Sequence, residues 1–255
     1  MVERADGAGA ARTLTAVNTN NMKRTDRLNQ RHGVAAFTLI ELLVVIAIIG
    51  ILAALIFPAI GMVNANKQRS LAKAQLQQIQ QAIEAYHTKL GYYPPDNPTN
   101  VVVNPLYFEL MGTTNDASGA AGGTAQNYAT LDNSSVITIS QLTTYFGITG
   151  LANTSTRTHS DDQGAAASSF LTHLLPNQIG QVNPSTDPQR VLVLACPVAW
   201  PGNTPLTPNN TTLNPWRYTS SHPTNNVGTY DLWVDLIIRG KTNRISNWSP
   251  NPIVL

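Results

Sequence analysis

The sequence predicts an α+β fold: one long N-terminal helix, apolar enough in its first half to cross a membrane, carries a small C-terminal antiparallel β-sheet domain. Three observations predict it. Leu42 to Phe57 is a run of sixteen residues with no charge and no polar side chain. An amphipathic helical pattern follows it as far as Leu90. The C-terminal part then reads as short apolar or alternating runs separated by turn residues, which is a strand pattern.

Composition bounds the rest. The chain has 255 residues, enough for one sizeable domain plus appendages. Charged residues are 12%, and Asn, Thr, Ser, Gly and Pro abound, which points to a loop-rich extracytoplasmic domain rather than a cytosolic enzyme. Residues 1–36 carry six Lys/Arg against three Asp/Glu, and residues 37–255 carry ten against eleven. The basic character therefore belongs to the leader, and no nucleic-acid partner is expected for the body. The single cysteine, Cys196, has no internal disulfide partner. In Val191-Leu192-Val193-Leu194-Ala195-Cys196 it reads as a small buried residue, with a catalytic thiol as the alternative.

A hydrocarbon core about 30 Å thick needs about 20 helical residues. Phe37 to Ile60 supplies 24. Arg24, Arg27 and Arg31 precede it and place the N-terminus in the cytoplasm. A secretory signal peptide would have a shorter apolar core followed by a small-x-small cleavage site. Here Ala47, Ala53 and Ala54 are embedded in the run. Glu41 at its front edge is costly in lipid and marks a functional position with a dedicated cationic partner. The plainer reading is an interfacial carboxylate favouring the helix N-terminus.

The segment Phe37-Thr38-Leu39-Ile40-Glu41-Leu42-Leu43-Val44-Val45-Ile46-Ala47-Ile48-Ile49-Gly50-Ile51-Leu52 resembles the cleavage and methylation segment of type IV prepilins and type II secretion pseudopilins. The resemblance implies cutting between Ala36 and Phe37 by a prepilin peptidase, N-methylation of Phe37, and an assembly role for Glu41, the fifth residue from Phe37. Pro58 is the twenty-second, where the family also places a proline. The family's usual residue before the cut is Gly, whereas Ala36 stands here. Cutting after Gly33 would instead make Glu41 the eighth mature residue. Met22-Lys23-Arg24 offers a second start with a fifteen-residue leader. A carboxylate four residues from a new amine lies one helical turn away. That Glu41 pairs with the Phe37 amine of a neighbouring subunit is what the resemblance implies. Such pairing would remove an unpaired charge from lipid and fix axial register.

Pro58 and Gly61 interrupt the pattern, predicting a kink or local melting. Beyond them Leu71, Ile79, Ile83, Tyr86 and Leu90 form an apolar stripe. The cluster Lys67, Arg69 and Lys73 reads as a solvated face, or as a contact with headgroups or a neighbouring subunit. Gly91 ends the helix. Phe37 to Leu90 is 54 residues, about 80 Å if unbroken. The run Ala82-Ile83-Glu84-Ala85-Tyr86 leading to Gly91-Tyr92-Tyr93-Pro94 resembles the end of this helix in G-type major pseudopilins.

In the C-terminal domain, Pro105 to Gly112 predicts a short helix and 112–135 an exposed loop or insertion. Val136-Ile137-Thr138-Ile139 is a short strand or a turn entry. Gln141–Phe146 and Ser168–Leu175 predict short helices, and Gln189–Ala195 a strand. Residues 197–215 read as loop. Trp216–Ser220, Tyr230–Ile238 and, after a turn at Arg239–Asn243, Arg244–Trp248 read as antiparallel strands. Asn214-Pro215-Trp216-Arg217-Tyr218, Tyr230-Asp231-Leu232 and Asn247-Trp248 resemble the terminal sheet of G-type pseudopilins. Against that family the region between Gly112 and Arg190 is long, implying an insertion over about 112–190. Family loops before Asn-Trp hold calcium-binding acids. Here Arg239 to Arg244 has three cations and no acid, so no metal is expected, with Asp231 and Asp235 the nearest carboxylates.

No metal-ligand spacing, nucleophile elbow, phosphate loop or dinucleotide fingerprint occurs. His32, His87, His159, His173 and His222 are scattered. Trp200, Trp216, Trp233 and Trp248 read as packing residues, with a sugar site as the alternative. The expected domains are a cytoplasmic leader 1–36, a transmembrane and assembly helix 37–60, an amphipathic continuation 61–90 and a periplasmic head 91–255. The resulting pilin-like lollipop is expected to be non-enzymatic, without cofactor, and to sit single-pass in an inner membrane before joining a periplasmic or surface filament. Its implied partners are other copies of itself, prepilin peptidase, an inner-membrane assembly platform with its ATPase, and membrane lipid. Within this class the readings are a type II secretion pseudopilus or pilus-like filament and a surface type IV pilin for adhesion, motility or DNA uptake. Outside it stands a single-pass anchored enzyme or carbohydrate-binding protein that does not polymerise.

Overall fold

The computed structural model describes residues 37–116, 127–157, 166–182, 191–200 and 213–255, without the side chains of 56–60. The chain divides into two units, Met1–Ile51 and Leu52–Leu255. The expected cleavage residue Ala36, residues 117–126 of the expected 112–135 loop, His32 and His159 lie outside the described residues.

In the first unit, helix α1 (Leu39–Leu90) begins. Its apolar side chains here, among them Leu42, Leu43, Ile46 and Ile49, are all exposed. The helix runs through Pro58 and Gly61 as one element, so the backbone there is helical and not melted. Among the described residues no helix is long and apolar enough to cross a membrane. The apolar run is described with its side chains only as far as Leu55.

In the second unit α1 becomes one-sided. Ala65, Ala72, Leu76, Ile79, Ala82, Ile83 and Tyr86 are buried. The expected stripe is correct at Ile79, Ile83 and Tyr86, whereas Leu71 is exposed and Ala72 takes the inward position. Arg69 and Lys73 correct the solvated-face reading. Arg69 donates to Asn243 Oδ1 at 2.8 and 3.2 Å, and Lys73 to the Pro250 carbonyl at 2.8 Å, tying the helix to its own domain. Gly91 closes α1 with φ +83° and an N–H to the His87 carbonyl.

The face of α1 meets a four-stranded meander, β7 (Arg217–Thr219), β8 (Asp231–Ile238), β9 (Lys241–Ser246) and β10 (Ser249–Val254), in the order β10-β9-β8-β7. Leu232, Val234, Leu236 and Ile238 alternate inward, with Tyr218 and Ile245 beside them. The β8–β9 turn is only Arg239-Gly240, both with positive φ, which is what a two-residue hairpin requires. The turn is thus shorter than expected. The strand read as the last is followed by β10, which Pro250 and Pro252 hid. Proline lacks the donor a ladder uses and is tolerated at a sheet edge, where β10 lies.

The stretch expected as a loop, 112–135, instead contributes strands. β1 (Thr113–Asp116), β2 (Asn127–Thr130), β3 (Val136–Thr138) and β4 (Thr154–Arg157) form a second sheet, β3-β2-β1-β4, in which β1 and β4 run parallel. Before it comes α2 (Leu106–Met111); after β3 come α3 (Ile139–Gln141), capped by Thr138 and Gln141, and a π-turn over Leu142–Phe146. β5 (Ile179–Val182) and β6 (Val191–Leu194) form a separate hairpin pair. Ser168–Leu175 is not a helix. It is irregular, with His173 at φ +60°, and is held by the Phe170 and Leu171 N–H groups on the Leu110 carbonyl and by Asn153 on Ser168. Tertiary hydrogen bonds override the local pattern there.

Glu109 joins these pieces. Its carboxylate is fully buried and accepts from Tyr86 of α1 at 3.0 Å and from the Ala152 and Asn153 N–H groups at 2.7 and 2.9 Å. Burial pushes the carboxyl above its ordinary range despite these three donors. The folded chain therefore holds the proton more tightly than the unfolded chain. Glu109's contribution is fully present below the ordinary carboxylate value of 4.5 and is lost as pH rises through the raised one. Glu109→Gln should flatten the fall in urea midpoint as pH rises above 4.5. It should also cost about 1–3 kcal/mol at the lower pH, because its amide faces an N–H donor. An unchanged pH slope would locate the titration elsewhere. Gly112 has φ +68° and ψ 151°, a glycine-only region, and a Cβ there would lie 2.6 Å from the Ser168 carbonyl oxygen. Gly112→Ala should lower thermal stability by about 1–3 kcal/mol or more.

Candidate functional site

At the start of α1 the residues resolve into a local device. Phe37 is 76% exposed and Thr38 precedes the first helical residue. Thr38 N–H and Oγ1 both donate to Glu41 Oε2, at 2.9 and 2.8 Å, and the Glu41 N–H donates back to Thr38 Oγ1 at 3.3 Å. This is a reciprocal capping box, which satisfies two of the helix's orphan N–H groups. Its signal, Thr-x-x-Glu before an apolar run, is present in the sequence as Thr38-Leu39-Ile40-Glu41. Oε1 of Glu41 has no hydrogen-bond partner among the described residues. The carboxylate is therefore oriented by Thr38 and keeps one oxygen for a further donor. Pro58, the other expected assembly residue, lies within helical backbone of α1.

The head uses its own carboxylates internally. Asp235 takes Arg244 Nε and Nη2 at 2.8 and 3.0 Å, a two-pronged pair on the sheet surface. Asp231 accepts the N–H groups of Thr224, Asn225 and Asn226 at 2.8, 2.9 and 2.8 Å. Burial alone would raise its carboxyl, but these N–H groups outweigh it and hold it below the ordinary range. Asp96 likewise accepts Ser220 and Ser221 N–H at 3.0 and 3.1 Å and the Thr219 and Ser221 hydroxyls at 2.8 Å each. Among the described residues no group of three or more His, Cys, Asp or Glu is placed to hold a metal. Both Asp231 and Asp235, the nearest acids to the Arg239–Arg244 segment, are already occupied by protein donors.

Cys196 is buried, and burial pushes its thiol up to about 12, so it stays protonated at neutral pH. His87 stacks on Tyr93 with ring centres 4.3 Å apart, and His222 Nδ1 meets Ser221 Oγ at 3.0 Å. Neither histidine faces a nucleophile that is free of other bonds, since Ser221 Oγ also reaches Asp96. The Asn-Trp pair has a distinct role. Asn247 Oδ1 accepts the Leu232 N–H at 3.0 Å and its Nδ2 reaches the Tyr230 carbonyl at 2.9 Å, pinning the turn after β9 to the start of β8.

Comparison with known proteins concerns mainly the helix start. Residues 31–57 match the prokaryotic N-terminal methylation motif. A type IV major pilin protein, PilE1 of Neisseria gonorrhoeae, is 43% identical over 65 residues, which is 26% of this chain and 30% of the pilin. The match thus spans less than a third of the relative's length. No solved structure matches the chain. On the residues matched, the chain carries the N-terminal methylation motif that is the signature of type IV pilins and pseudopilins, and its N-terminal region is similar to that of a type IV major pilin.

Proposed function

We propose that the chain is a structural subunit of a type IV pilin-like filament. It would be anchored in the inner membrane by residues 37–60, cut between Ala36 and Phe37, N-methylated on Phe37, and polymerised through α1. The observation that carries this reading is the methylation motif at 31–57, with Glu41 capped and oriented at the helix start. The apolar side chains exposed along Leu39–Leu55 support it. Such a surface is tolerable in water only if lipid or other apolar helices cover it. Phe37 to Ile60, with 24 residues, has the length to span a bilayer, and the basic leader orients it with the head outside.

Assembly follows from charge. Cleavage would create an amine at Phe37. In apolar surroundings the free Glu41 oxygen and a neighbouring subunit's amine would each lose an unpaired charge by meeting, which sets register. Head-to-tail contacts of this type build open filaments. The work of extraction would fall to a platform and its ATPase. Two filaments fit. A type II secretion pseudopilus is supported by the helix end at Tyr86–Pro94 and the Asn247-Trp248 pin. A surface pilus is supported by the major pilin similar over the N-terminal region.

Mass spectrometry of the mature protein should find N-methyl-Phe at residue 37; an intact leader would overturn the reading. Glu41→Ala should leave the protein processed and membrane-bound while filament yield falls at least tenfold in sheared fractions. Unchanged assembly would remove Glu41's role. Thr38→Ala should weaken the first turn by about 1 kcal/mol, read as faster amide exchange over the start of α1.

A further inference from the structure

The β8–β9 turn packs against α1 where the apolar run stops. Arg239 Nη2 lies 3.2 Å from where a Cβ on Gly61 would stand, so the guanidinium rests on the helix one residue past Ile60. The contact is one of a series, since Asn243 of β9 meets Arg69 further along α1. β9 therefore runs in the same direction as α1, and its first residue, Lys241, stands at the Gly61 end. Lys241 pairs with buried Ile238, which puts it on the α1 side of the sheet, yet it is exposed. Met62 and Val63 on the neighbouring turn of α1 are 60% and 68% exposed.

Charge at this end does not cancel. The side chains of Lys67, Arg239 and Lys241 have no hydrogen-bond or ion-pair partner among the described residues. Arg69 is bonded to the neutral Asn243 amide, so its charge also stands. Asp235, the acid nearest the turn along β8, is held by Arg244. Leu255 donates its N–H to the Thr242 carbonyl, and its carboxyl makes no ion pair with either turn cation. Arg239 also has φ +54°, at a turn position that Asn or Gly fills with less strain. A cation stands there against the backbone's preference. One helical residue rises about 1.5 Å, and headgroups occupy about 5–7 Å on each side of the hydrocarbon. With residues 37–60 in a bilayer, Arg239 is at headgroup depth.

We propose that this end of the head docks on the phosphates of anionic phospholipid. Arg239 takes a phosphate in its planar fork, and Lys241 and Lys67 add to the attraction. Met62 and Val63 enter the interfacial layer. The inference rests on the anchoring proposed for residues 37–60 and adds a headgroup preference that a bare apolar span does not have.

The test places the full chain in nanodiscs of phosphatidylcholine alone or mixed with phosphatidylglycerol and follows amide exchange over Ile237–Thr242. Exchange there should be slower by about threefold or more in the anionic discs, because docking holds the turn closed. High salt should abolish the difference. So should the double variant Arg239→Gln, Lys241→Gln, with exchange over Val234–Leu236 unchanged. Lys241→Gln alone should lose part of the difference and serves if the double variant misfolds. Equal exchange in the two lipids, or a difference that survives in both variants, would overturn the proposal. Slowing that follows the number of chains per disc in phosphatidylcholine alone would assign this end to a second copy, and would also overturn it. A chain that enters discs of neither composition would overturn the anchoring itself, and the docking with it.

Discussion

The head depends on one buried carboxylate. Glu109 sits where α1, α2 and the turn before β4 converge, and each sends it a donor or carries it. Without those three donors a charge at that depth would be untenable. With them, the carboxylate fixes the distance between the long helix and the second sheet. Asn153 extends the junction. Its side chain bonds the Glu109 and Ser168 carbonyls and accepts the Ser168 N–H, and its own carbonyl accepts from Thr113 of β1. The irregular segment Ser168–Leu175 and the start of the second sheet therefore both refer back to Glu109.

The same device recurs wherever the head has a loop and explains its composition. A chain with one cysteine has no disulfide to staple long connections, yet buried backbone groups must be paired. Short polar side chains do this work. Asn97 bridges the Val103 and Tyr145 carbonyls while its oxygen caps Thr99 and Asn100. Asn104 holds the Trp216 carbonyl, Asp96 gathers the turn after β7, and Asp231 gathers the next one. Asn247 substitutes for missing ladder bonds at the mouth of β8. The abundance of Asn, Ser and Thr is thus structural.

Regular periodicity was legible and tertiary pairing was not. α1, α2, β3, β6, β7, β8 and the helical turns at 139–146 follow from apolar spacing or local caps. β1 and β2 were hidden because Thr113-Thr114-Asn115-Asp116 and Asn127-Tyr128-Ala129-Thr130 lack an apolar alternation. Their pairing comes from non-local bonds with β4 and β3. β10 was hidden by its prolines. Leu71 is exposed and Ala72 is buried, because side-chain size does not by itself say which side of the helix meets the domain. Of the candidate site, Glu41 was legible from its charge and Thr38 from its spacing.

The helix start brings these constraints together. A carboxylate at the edge of an apolar run must be satisfied in two settings, before and after any assembly. The capping box meets the first requirement within the chain, since Thr38 supplies two donors to one oxygen. Those donors are neutral, so they orient the charge without cancelling it. The second requirement needs a cation. Under the proposed cleavage, the bond broken to remove the leader is the one that creates that cation, at the residue next to Thr38. An uncut chain would present an amide there and leave the Glu41 of a neighbouring subunit uncompensated among apolar helices. Processing and assembly would then be coupled by electrostatics alone: the energetic penalty falls where an unprocessed subunit joins, because its residue 37 offers no amine to a neighbour's Glu41.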